Sequence, residues 1–164
     1  MRKKTLIIFF SWLMVLSTMA IIYIFSEENA EKSAQTSSGV IKDVLDVFLP
    51  EEDITQEVIK KYQLPFRKVA HFGIFMLLGF CFANAYCNTI RIKSIFNYLI
   101  SFGSTALYAM FDEAHQNFSK GRGPSPMDVF IDSFGGLVGI ASFAIFIYFY
   151  NRIINKKSVI DGFF

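Results

Sequence analysis

Four apolar runs limit what this chain can fold into. They cover residues 6–25, 66–87, 95–111 and 127–150. Each is about 17 to 24 residues long, the length an α-helix needs to cross roughly 30 Å of hydrocarbon. Within a bilayer the backbone N–H and C=O groups find no water, so a lone spanning run must pair them internally, as a helix. Hydrophobic residues make up 53% of the 164, 20 of them Phe, and the mean hydropathy is +0.41. That is more apolar side chain than one soluble core of this size uses. The predicted fold class is all-α: a four-transmembrane-helix integral membrane bundle, one domain over 1–164, with membrane lipids as its first partners.

Charge placement orients the bundle. Arg2, Lys3 and Lys4 precede the first run, Arg91 and Lys93 sit in the turn between the second and third, and Arg152, Lys156 and Lys157 follow the fourth. Short cationic segments stay in the cytoplasm, which predicts a multi-pass plasma-membrane protein with both termini cytoplasmic. The first run is longer than a signal-peptide core and Phe25-Ser26-Glu27-Glu28 is a poor cleavage site, so it reads as an uncleaved span. Residues 26–65 then form an extracytoplasmic loop. Val40, Ile41, Val44, Leu45, Val47 and Phe48 recur at helical spacing until Pro50, and Asp53-Ile54-Thr55-Gln56 has capping-box form ahead of Val58, Ile59 and Tyr62. Two short amphipathic helices are expected there, lying on the bilayer surface or over the mouth of the bundle. A net charge of only +2, spread over termini and loops, excludes a nucleic-acid partner. Cys81 and Cys87 fall on different sides of one helix and read as inert thiols.

The chemistry is concentrated in residues 112–132, DEAHQNFSKGRGPSPMDVFID. Charge at the edge of hydrocarbon must keep water or find a partner. Asp112 with His115 and Gln116, and Asp128 with Asp132, are spaced i, i+3 or i+4 and so share helix faces. Two prolines and two glycines around Arg122 break the helix, and Ser125 can cap the next one with Pro126 at its first position. Alternating spans bring Arg67, Lys68 and His71, at the head of the second run, to the same outer face. Three readings stay open for this cluster. It locks the bundle through internal ion pairs, or accompanies another membrane protein as an accessory subunit. It binds a headgroup, with Arg67, Lys68 and Arg122 facing anionic oxygens. Or it is a hydrolase or transferase in which His71, Glu113, His115 and Asp128 supply acid–base groups or ligands for a divalent ion. No HExxH-type motif identifies a metal or cofactor, and nothing around Ser125 marks a nucleophile.

HFGIFMLLG after Arg67-Lys68, followed by DEAHQNFSKGRGPSPMDVFIDSFGGLVG, resembles the VanZ-like family of small bacterial membrane proteins. Asp112, Glu113, His115, Gln116, Arg122, Ser125 and Asp128 match its pattern position by position. Asp132 departs from it, standing where Asn is common and adding one negative charge. The alternation of the spans and these matches together give an expected binding set of Arg67, Lys68, His71, Asp112, Glu113, His115, Gln116, Arg122, Ser125, Asp128 and Asp132. Some members are associated with reduced susceptibility to teicoplanin in Gram-positive bacteria. That implies action at the outer leaflet on a lipid-bearing glycopeptide or a lipid-linked cell-envelope molecule.

Overall fold

Each apolar run is helical in the computed structural model, which describes residues 2–27, 56–90, 92–116 and 125–161. The helices are α1 (Arg2–Glu27), α2 (Gln56–Thr89), α3 (Ser94–Gln116) and α4 (Pro126–Asp161). Long apolar side chains stay exposed along α1, α3 and α4, among them Phe9, Leu107 and Phe146. Water would drive such side chains inward; hydrocarbon does not. Three helices are long and apolar enough to cross a membrane, over Lys3–Ser26, Glu57–Thr89 and Pro126–Ile154. α3, at 23 residues, has the length as well, but a polar stripe of Asn97, Ser101 and Thr105 is buried on its inner side. Ser101 and Thr105 return their hydroxyls to the carbonyls one turn back, at 2.7 and 2.9 Å, while Asn97 donates to the Ile90 carbonyl at 3.4 Å and its Oδ1 has no partner among the described residues.

α2 is the central element and packs on the other three. Val15 and Ile22 of α1, Phe75, Leu78 and Cys81 of α2, and Ala109 of α3 form the main core. In the contact of α2 with α4 the backbones themselves approach at the glycines, beside the ring contacts of Phe72 with Phe134 and Phe80 with Phe143. A Cβ on Gly135 would lie 2.5 Å from the Phe72 carbonyl oxygen, one on Gly139 would overlap that of Met76, and one on Gly79 would meet the backbone of Gly136. The Gly135–Gly139 spacing thus lets the two backbones touch.

At one end of the bundle neutral polar groups tie the helices together. Trp12 Nε1 donates to Thr89 Oγ1 at 2.9 Å, while Asn84 and Asn88 donate to Ser11 Oγ at 3.1 and 3.2 Å. The other end carries the charged cluster. Both cysteines are free.

Two expectations meet a different outcome. Pro65 does not separate a surface helix from a span: α2 runs unbroken from Gln56 through Pro65. The missing proline N–H removes one helical bond, yet the ring is exposed and Ile59, a turn and a half earlier, is buried. The second amphipathic segment is therefore the N-terminal end of α2. The first, at residues 40–48, lies outside the described residues, as do the Asp53 end of the capping box and the lid reading built on this loop. The segment after residue 150, expected as a cytoplasmic tail, continues α4 as helix to Asp161.

Gly139→Ala should force α2 and α4 apart and cost about 1–3 kcal/mol. Gly103→Ala, whose Cβ meets nothing within 4 Å, should be neutral or stabilising. Thermal unfolding of the two purified variants in detergent checks this; equal midpoints would mean that the α2–α4 contact is not as tight as described.

Candidate functional site

The ends of α1 and α3 and the starts of α2 and α4 converge, and three carboxylates are buried among them: Asp112 at 2% exposure, Glu113 at 6% and Asp132 at 3%. Each is held differently. Asp112 accepts two hydrogen bonds, from Ser26 Oγ to Oδ1 at 2.6 Å and from Gln116 Nε2 to Oδ2 at 2.8 Å. Gln116 sits one turn after Asp112 on the same face of α3, as the i, i+4 spacing predicts. Its amide nitrogen also reaches Ser26 Oγ, and its oxygen accepts from Arg67 Nη2 at 2.8 Å. A chain therefore runs from α1 through α3 to α2.

Glu113 Oε1 accepts the backbone N–H of Ser125 at 2.6 Å. Ser125 caps α4, its Oγ accepting the Asp128 N–H at 3.3 Å, and Pro126 follows as the first helical residue. The serine expected to cap this helix does so, and Glu113 fixes the cap from α3. Burial pushes the Glu113 carboxyl up from its ordinary value, the Ser125 N–H opposes this, and the charges of Asp128, Asp112 and Asp132 reinforce it.

Asp132 accepts no hydrogen bond among the described residues; its nearest partner is His71 Nδ1, 3.7 Å from Oδ2. Lys68 Nζ and Asp128 Oδ1 form an ion pair of 2.5 Å at the more open rim. Arg67 donates to the Gln116 amide and, among the described residues, to no carboxylate. Arg67, Lys68, His71, Glu113, Asp128 and Asp132 line one cavity of about 40 Å³ together with Gln116 and Ile131.

The residues singled out in the sequence separate into three groups. Arg67, Lys68, His71, Glu113, Gln116, Asp128 and Asp132 meet on the cavity, and Asp112 lies immediately behind it, with one carboxylate oxygen within 4.8 Å of ligand atoms of His71 and Asp132. His115 turns away: its ring stacks on Tyr23 of α1 at 4.8 Å and on Phe111, and its Nε2 is buried without a hydrogen-bond partner. Arg122 lies outside the described residues. Two residues join the cluster that spacing arguments did not single out. Ser26, fully buried, is a direct partner of Asp112, and Tyr23 forms the wall for His115. Both belong to α1; the signal that could have found Ser26 is its place on one helix face with Ser11 and Thr18, which α1 buries, whereas nothing in the sequence marks Tyr23.

A family model described as VanZ/LLP1 matches residues 9–147, most of the chain. The chain belongs to that family. The search of curated proteins and that of solved structures return no match.

Glu113 gives the site a pH signature. Its folded-state pKa lies above the ordinary 4.5, so the folded protein holds the proton more tightly than the unfolded chain, and this contribution to stability is lost as pH rises between the two values. The wild-type unfolding midpoint in detergent should fall by a few degrees as pH rises from about 4.5 through this window. Glu113→Gln, which keeps an acceptor for Ser125, should flatten that interval. Parallel slopes for the two proteins would remove Glu113 as the cause.

Proposed function

We propose that this VanZ/LLP1-family protein spans the plasma membrane four times with both termini in the cytoplasm, and binds the anionic headgroup of a lipid-linked cell-envelope molecule at the outer leaflet. The observation that carries this reading is Arg67. It stands on the wall of a cavity with four carboxylates nearby, yet donates to a neutral amide. Among the described residues its remaining guanidinium donors have no partner, and their fork geometry suits a phosphate oxygen pair. Lys68 stands beside it at the rim.

Size narrows the ligand. At about 40 Å³ the cavity takes about three waters, which is the scale of one phosphate-sized group. Sites that engulf drug-sized ligands are on the order of 300–1,000 Å³. A lipoglycopeptide therefore fits only through a small anionic part, whereas a lipid phosphate or pyrophosphate fits as it stands. Between α1, α2 and α3 an apolar groove of about 440 Å³ runs past Trp12, Tyr86 and Leu107 to Phe111, next to Asp112. It offers a hydrocarbon chain a bed leading to the polar cluster. Any effect on teicoplanin susceptibility would follow from engaging the envelope lipid that the drug meets at the same surface.

Binding of a polyprenyl phosphate and of the uncharged polyprenol to the protein in nanodiscs tests this. The phosphate should bind at least about tenfold tighter, and Arg67→Gln should remove that preference, consistent with charge-assisted bonds of about 1.5–3 kcal/mol. Equal affinity for phosphate and alcohol, or a preference unchanged by Arg67→Gln, would overturn the reading.

A further inference from the structure

An anionic ligand faces an obstacle in this cavity. Lys68 and Asp128 pair with each other, which leaves Asp112, Glu113 and Asp132 against Arg67 among the described residues. With the three ionised and His71 neutral, the site thus carries an excess of two negative charges. A second anion would be repelled, and strongly so where burial lowers screening. With the His71 imidazole neutral, a cation between the carboxylates and the ligand would remove that repulsion.

The positions of three side chains from three helices say which. His71, Asp112 and Asp132 each place one ligand atom within 4.8 Å of the other two. The 3.7 Å between His71 Nδ1 and Asp132 Oδ2 is too long for a hydrogen bond. It is near the about 3.3 Å that separates two ligands of a tetrahedral ion with bonds of about 2.0 Å. Asp132 is nine-tenths buried and more, with no hydrogen bond among the described residues. A buried carboxylate left so is costly unless something positive takes its lone pairs. Asp112, by contrast, is held by Ser26 and Gln116, the outer hydrogen bonding that aims a carboxylate ligand and leaves lone pairs free.

We propose that His71, Asp112 and Asp132 form a divalent-cation site behind the cavity, through which an anionic oxygen of the headgroup is held opposite Arg67. An imidazole with two carboxylates selects a first-row ion such as Mn²⁺ or Zn²⁺ over Mg²⁺ or Ca²⁺. Three protein ligands leave positions open toward the cavity for water or a phosphate oxygen. The bridging role rests on the headgroup reading above; the cation site does not.

The test uses the full-length protein purified without chelators. Zinc and manganese are measured by elemental analysis, and added Mn²⁺ by loss of the free-ion electron paramagnetic resonance signal. One ion per chain is expected, undisturbed by excess Mg²⁺. His71→Gln and Asp132→Asn should each weaken it at least about tenfold, while Gly103→Ala, outside the cluster, leaves it intact. Wild type that binds neither ion stoichiometrically overturns the site, whether or not the variants fold. So does Mn²⁺ affinity unchanged in folded His71→Gln and Asp132→Asn. Polyprenyl phosphate binding with and without EDTA separates the two claims. No bound ion with chelator-insensitive lipid binding removes the cation site and keeps the headgroup reading. A bound ion without phosphate preference does the reverse.

Discussion

Burying three carboxylates at the head of an apolar bundle is the constraint from which the rest of the architecture follows. A carboxylate out of water costs several kcal/mol unless hydrogen bonds or charge replace its hydration. Asp112, Glu113 and Asp132 come from two helices, so no single helix could satisfy them. α1 supplies Ser26, α2 supplies Arg67 and His71, and the cap of α4 supplies the Ser125 N–H. Each of the four helices therefore ends or begins where it is needed by a charge on another.

Glycine packing sets the scale of the site. Gly135 lies three residues after Asp132, and its missing side chain allows α4 to rest on the carbonyl of Phe72, the residue after His71. Backbone contact at that level brings the imidazole and the carboxylate within 3.7 Å one turn above. A side chain there would widen the cavity and separate the pair. The small residues below the cluster and the charged ones within it are thus one device, with packing determining the electrostatic distance.

Most of this was readable from residue order. Helix-length apolar runs fix the elements because a bilayer admits few alternatives, and i, i+4 spacing put Asp112 with Gln116 and Asp128 with Asp132. Alternation of the spans then delivered Arg67, Lys68 and His71 to the same end. Partners that depend on rotation about a helix axis were not readable. α1 carries only a faint signal, the hydroxyl residues Ser11, Thr18 and Ser26 on the one face it buries; Tyr23 lies off that face, and the Tyr108 bond to the Met19 carbonyl at 2.7 Å helps fix the rotation. His115 illustrates the converse. It shares a helix with Asp112 and Gln116, but stacking on Tyr23 and Phe111 draws its ring away from the cavity. Pro65 suggested a boundary from local chemistry, and the burial of Ile59 outweighed it.

The two ends of the bundle bear on whether the charges merely hold it together. At the far end Ser11, Asn84, Asn88, Trp12 and Thr89 join α1 to α2 with neutral hydrogen bonds alone. Such bonds need no desolvated ion and give each pair of helices a fixed register. A bundle that required only locking had that solution in hand. At the near end the same helices bury four carboxylates or hold them at the rim, leave Asp132 without a hydrogen bond among the described residues, and turn Arg67 toward an amide. Ion pairing that served stability alone would match each acid with a base, as Lys68 and Asp128 do at the rim. Inside, acids outnumber bases, and the mismatch surrounds a cavity the size of a small polar group. Charge arranged against the interest of the empty bundle supports the proposal of a ligand that enters it.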